Sequence, residues 1–139
     1  MLWRRLPILD HFAGFKVGNG TADPAFKRLI AALGEGRACV KLSAPYRVGS
    51  TDPNYADLRP AAEAMIQAAP AHMVWASDWP HTGGGADRAK RGPEAIEPFR
   101  QIDDASDLQR LRIWAGSEAL STAILSHNPA RIFDFPAFG

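Results

Sequence analysis

Apolar positions in this chain follow two rhythms. Three short runs, LPILDHF (residues 6–12), ACVKLSA (38–44) and HMVWASDW (72–79), carry β-branched or aromatic residues and stop where a polar residue meets a loop-like stretch. That pattern predicts buried strands. Helical periods lie between them. In TADPAFKRLIAALGEG (21–36), Asp23 is placed to cap, Pro24 suits the first helical position, and Phe26, Leu29, Ile30 and Leu33 make one apolar face that ends at Gly34 and Gly36. YADLRPAAEAMIQAAP (55–70) is periodic from Leu58 to Ala69. Because Pro60 is tolerated only in a first turn, the helix is expected to start near residue 59. A long glycine-rich, charged loop, HTGGGADRAKRG (81–92), then leads to two helical stretches, DASDLQRLRIWAG (104–116) and SEALSTAILSHNPARIFDF (117–135). Ser117 is the expected cap of the second, which should end at Asn128 ahead of Pro129.

The order is strand, helix, strand, helix, strand, helix. His11 and Ser43 lie 32 residues apart, and Ser43 and Asp78 lie 35 apart. A (β/α)8 barrel of roughly 250 residues spends about 31 on each unit, so these intervals fit successive βα units of a parallel sheet. A doubly wound sheet has similar spacing, which makes parallel βα structure firmer than the barrel itself. One domain covering residues 1–139 is expected.

Composition removes several function classes. With 139 residues and 46% apolar content the chain can bury a core, and a net charge of +1 gives neither the basic footprint of a nucleic-acid binder nor a polybasic membrane patch. No apolar run approaches the length of a membrane span, and the opening MLWRRLPILDHF lacks the apolar core and cleavage site of a secretory leader. The single cysteine, Cys39, suits a reducing compartment, so a soluble cytoplasmic protein is expected.

Alternation along the strands selects the candidate chemistry. Val74, Ala76 and Asp78 share one face of the third strand; Leu9 and His11 share a face of the first, with Asp10 pointing away. Lys41 points opposite to Val40 and Leu42, and is expected to snorkel between sheet and helix. If the strands are parallel neighbours, their C-terminal ends collect His11, Ser43 and Asp78 at one mouth, with Tyr46, Arg47 and His81 a few residues beyond. A carboxylate there is tolerable when it meets water, a metal, an imidazole or a guanidinium. The alternative is that Asp78 caps the Trp-Pro turn that follows it, that His11 is a satisfied structural residue and that Arg47 is solvated. His72 and His127 are read as structural or exposed. Gly83, Gly84 and Gly85 match neither a phosphate loop nor a dinucleotide fingerprint, and are assigned to loop mobility.

The pieces LPILDHF, VKLSAPYR, AAPAHMVWASDWPH and SHNPARIFDF, taken together, resemble the C-terminal part of the amidohydrolase-related family of TIM-barrel, metal-dependent hydrolases, nearest to the 2-pyrone-4,6-dicarboxylate lactonase branch. The resemblance implies a partial (β/α)8 barrel of about three parallel strands with flanking helices. It implies Asp78 as the base for a hydrolytic water and His11 as a second catalytic residue. It also implies Arg47 as the group gripping a substrate carboxylate, with His81, Ser43 and Tyr46 lining the substrate site. In zinc-using branches, His11 and Asp78 would be the metal ligands; lactonase-like branches polarise the carbonyl with histidines and bind no metal. The implied substrate is a small carboxylated lactone or similar ester.

The family's barrel opens with an HxH pair, and no HxH occurs in this chain. Met1 precedes the first strand by only a few residues. From these departures we expect a fragment that begins near the sixth barrel strand and covers the C-terminal half only. Such a chain should be impaired or inactive as a hydrolase. Val40, Leu42, Val74 and Ala76, on a barrel interior with nothing opposite, should be bare. The alternative expectation is a non-catalytic half-barrel, completed by self-association or by a partner that supplies the upstream strands.

Overall fold

A computed structural model describes residues 6–83 and 88–136. Three strands, β1 (Ile8–Leu9), β2 (Cys39–Ser43) and β3 (Met73–Ala76), form one parallel sheet in the order β1-β2-β3. Parallel neighbours cannot be joined by a tight hairpin and need a long crossover. The helix α1 (Pro24–Gly34) supplies the first crossover and α2 (Arg59–Ala68) the second. After β3 come α3 (Asp104–Ala115), α4 (Glu118–Thr122) and α5 (Asn128–Ile132), with a π-helical segment, Ala123–His127, between the last two. The fold is α/β, an unclosed three-stranded parallel sheet flanked by helices, as the sequence pattern predicts.

Helix starts follow the local chemistry. The Asp23 side chain accepts the Ala25 amide at 2.6 Å, with Pro24 in the first turn where no amide is required. Pro60 occupies the same kind of position in α2, and Ser117 caps α4 by accepting the Leu120 amide at 3.2 Å. The helix does not end at Asn128 as expected. The π-helical turn carries the backbone onward, and Pro129 falls in the first turn of α5, the one helical place where a missing N–H costs little.

Register corrects the assignment of faces. Leu9 pairs with Val40, Val40 with Met73 and Leu42 with Trp75, so these residues share the face covered by α1, α2 and α3 and pack with Leu33, Met65, Ile66 and Leu111. Lys41 and Ser43 pair with Val74 and Ala76 on the opposite face. Alternation inside each strand was sound, but the phase between strands is set by pairing and is invisible in any one segment. The expected bare surface is absent: Val40, Leu42 and Val74 are 0%, 1% and 2% exposed. Lys41 does not lie between sheet and helix; its amino group meets the Asp10 carboxylate at 2.6 Å.

Three further contacts shape the scaffold. Asn128 is buried, and its amide nitrogen donates to the carbonyls of Pro70 and Met73, both at 2.8 Å, tying α5 to the entry of β3. Past β1 the backbone turns left-handed at His11, Phe12 and Ala13 (φ 52°, 53° and 55°) before Gly14. A β-carbon at Gly83 would run into the Glu97 carboxylate, so that glycine makes room for a side chain and is more than a flexible link. Gly84 and Gly85 lie outside the described residues.

Two substitutions test this scaffold in urea unfolding. Asn128→Ala strands the buried Met73 carbonyl and releases the part-buried Pro70 carbonyl, and should lower stability by about 1–3 kcal/mol. Ala13→Gly removes the left-handed penalty against a smaller cost in unfolded-state entropy, and should raise stability by about 0.5–1 kcal/mol.

Candidate active site

Each strand gives way to a residue in the left-handed region: His11 after β1, Ala44 (φ 51°) after β2 and Asp78 (φ 67°) after β3. Such residues cost about 1–3 kcal/mol apiece and persist only where the surroundings hold them. Here they re-aim side chains. Continued alternation would send His11 to the helix face with Leu9; the left-handed turn instead swings it over β2 and β3. Asp10, expected to point away, reaches Lys41 by the same turn.

Asp78 is the hub. Its Oδ2 accepts from the Tyr46 hydroxyl at 2.7 Å and from Arg47 Nε at 3.1 Å, while Oδ1 lies 3.8 Å from His11 Nε2. Ser43, almost fully buried, places its hydroxyl 3.0 Å from His11 Nδ1. In a neutral imidazole a donating Ser43 hydroxyl would leave the ring proton on Nε2, facing Asp78; in the charged ring both nitrogens donate. Arg47 Nη2 also donates to the carbonyl and hydroxyl of Thr82, both at 3.3 Å. His81 is 5% exposed, with Nδ1 3.4 Å from the Tyr46 hydroxyl and Nε2 3.2 Å from Asp104 at the start of α3.

These contacts set the ionisation. Burial pulls the Asp78 carboxyl upward, but the hydrogen bonds from Tyr46 and Arg47 and the nearby charges of His11 and Arg47 outweigh it and hold the group below its ordinary 3.8. Burial, followed by the bond to Asp78, pushes the Tyr46 phenol up to about 12, so it remains a donor throughout the neutral range. The arrangement therefore holds an ionised carboxylate with Oδ2 saturated and Oδ1 turned to an imidazole across a gap that exceeds a direct hydrogen bond.

All six residues singled out from sequence (Asp78, His11, Arg47, His81, Ser43 and Tyr46) meet at this rim. The capping alternative for Asp78 does not describe its side chain; the Trp79 amide is accepted by Ser77 Oγ at 3.2 Å. Sequence reasoning missed Thr82 and Asp104. The doubled acid in QIDDASD was the only signal for Asp104, and it reads equally as the cap that Asp103 in fact provides.

The donor set does not make a catalytic zinc site. His11 and Asp78 supply two ligands where three are usual. Ser43, Tyr46 and Arg47 occupy His11 Nδ1 and Asp78 Oδ2, which leaves Nε2 and Oδ1 as the two free donor atoms. Among the described residues, no group of three or more His, Cys, Asp or Glu side chains could hold a metal ion. Among those same residues, no helix is long and apolar enough to cross a membrane.

Comparison with known proteins bears on this site. The amidohydrolase family model matches residues 3–135. The 4-sulfomuconolactone hydrolase of Rhizobium radiobacter is 32% identical over 91% of this chain and 38% of its own length. The enzyme of the same name from Hydrogenophaga intermedia is 29% identical over 95% of this chain and 40% of its own. The crystal structure of a protein from Pseudomonas putida, described as a 2-pyrone-4,6-dicarboxylic acid hydrolase, superposes with a TM-score of 0.71 at 25% identity, covering 94% of this chain and 44% of that one. This chain thus spans about two fifths of the length of the curated relatives it matches.

The family match corrects the expectation that the resemblance is confined to a C-terminal half: it takes in residues 3–135, nearly all of this chain. The sequence suggested a resemblance to a C-terminal half only, a site lacking its HxH half, an impaired or inactive hydrolase, and strands completed by self-association or an upstream barrel half. The family match instead takes in nearly every residue of this chain, and of the apolar side chains expected to be bare Val40, Leu42 and Val74 are buried and Ala76 is half-buried. Matched from residue 3 to residue 135, and carrying an aspartate, a histidine and an arginine gathered at the ends of parallel strands, this chain belongs to the amidohydrolase family.

Proposed function

We propose that this protein hydrolyses a lactone that carries a carboxylate or sulfonate, with Asp78 as the base that activates water. The observation behind this reading is the Asp78 carboxylate, held ionised by Tyr46 and Arg47 on one oxygen and left open toward His11 on the other. The names of the relatives support the substrate class, since both describe hydrolysis of a ring ester bearing acidic groups. A general base of this kind needs a heavy-atom approach to the water it deprotonates, and Oδ1 offers one.

In the proposed reaction, a water bound at Asp78 Oδ1 attacks the lactone carbonyl and passes a proton to Asp78. The carbonyl oxygen becomes an oxyanion, and a His11 N–H on the Asp78 side is the donor assigned to stabilise it. Collapse breaks the ring C–O bond, and the leaving oxygen takes the proton back from Asp78. The products are a ring-opened acid and a regenerated carboxylate. No step is routed through a metal, because the donor set above does not fit one. We place the reaction in the cytoplasm, in keeping with the unpaired, buried thiol of Cys39, which burial pushes above its ordinary value.

Turnover of a carboxylated lactone should fall about a hundredfold to ten-thousandfold in Asp78→Asn, the range a general base contributes, with near-ultraviolet circular dichroism unchanged. Undiminished turnover would sink the assignment. The acid limb of the kcat/KM profile should lie below pH 3.8, because Asp78 works ionised and its folded-state value is depressed. Arg47→Gln removes a donor and a charge, so the limb should move to higher pH. The same depression adds stability that is present above the unfolded value and lost as pH falls through the folded one.

A further inference from the structure

Two guanidinium groups lie against the ring of Tyr46. The Arg47 Cζ is 5.2 Å from its centroid and the Arg100 Cζ 5.0 Å. Stacking at that range holds a cation in place without consuming its N–H donors. The two arginines differ in which donors remain. Arg47 spends Nε on Asp78 and Nη2 on Thr82, so this edge of its fork is closed to a bidentate carboxylate. Arg100 is exposed, and its main-chain amide donates to the His81 carbonyl at 2.8 Å, which anchors its backbone to the site loop. Its guanidinium makes no hydrogen bond or ion pair among the described residues.

Among the described residues the neighbouring acids each have a partner, although Asp104 Oδ1 is buried without a hydrogen bond. Asp78 pairs with Arg47, Asp104 with His81, and Asp107 with Arg110, whose guanidinium stacks on Tyr55. Among the described residues the charge of Arg100 is left without a partner, on a platform whose far end, the Tyr46 hydroxyl, touches the proposed base.

We propose that Arg100 binds a second carboxylate or sulfonate of the substrate and selects for doubly anionic lactones, while Arg47 serves Asp78. The identity of the ligand rests on the lactone reading above; the anion site itself can be tested without turnover.

Calorimetric titration with benzene-1,3-dicarboxylate, and with benzoate as the singly charged control, makes that test. Arg100→Gln should weaken dicarboxylate binding by about tenfold or more and benzoate by no more than about twofold. Arg100→Lys, which keeps the charge without the planar fork, should fall between. The proposal is overturned if wild type does not bind the dicarboxylate, if Arg100→Gln leaves its binding unchanged, or if both ligands weaken equally. Failure of the hydrolase reading would appear in the turnover of Asp78→Asn and not in these titrations, so the two failures are distinguishable.

Discussion

A carboxylate at a half-buried strand end stays ionised only if donors replace the water it has lost, and the environment of Asp78 is built around that requirement. Tyr46 and Arg47, one turn beyond β2, reach across to the same oxygen. Burial alone would have raised the group's pKa; the donors reverse the sign. The other oxygen is left with an imidazole near it and no direct bond. An acid with both oxygens saturated would be a structural anchor. One with a free oxygen beside a proton carrier is equipped to take a proton from water.

Backbone strain is the means by which the fold meets that requirement. Parallel strands deliver their ends to one rim, but their alternation is fixed by the sheet, and it does not point every needed side chain at a common centre. Left-handed residues at His11, Ala44 and Asp78 break the alternation where each strand finishes. The core beneath supplies the compensation, with Val40, Leu42, Met73 and Met65 essentially inaccessible to solvent. Rigid packing below and strained turns above belong to one design. The orientation of His11 depends on both, since Ser43 can lock its ring only after the turn has carried it there.

The positions of the strands and helices were legible because their signals are local. Asp23 and Pro24 announce a helix start, Pro60 limits where the next can begin, and apolar runs of the right length and spacing mark parallel strands. The rim was legible in part, since strands that are parallel neighbours bring the positions of His11, Ser43 and Asp78 to one end of the sheet; the left-handed turns that aim their side chains were not. The continuation of the last helix through Asn128 was not, because a π-helical turn upstream of Pro129 depends on how that segment packs against β3. Asp104 and Arg100 were missed because neither carries a local pattern; each matters through a partner more than 20 residues away, His81 for one and Tyr46 for the other.

By itself, then, the sequence determined the class of the fold, the order of its elements and the residue types brought to the strand ends, all of which follow from periodicity and chain connectivity. Tertiary structure decided which face each strand buries, because register is a relation between strands. It also decided that Arg47 turns to Asp78 and that Arg100 has no ion partner among the described residues, because the choice of ion partner depends on distances of a few ångströms that no linear spacing contains.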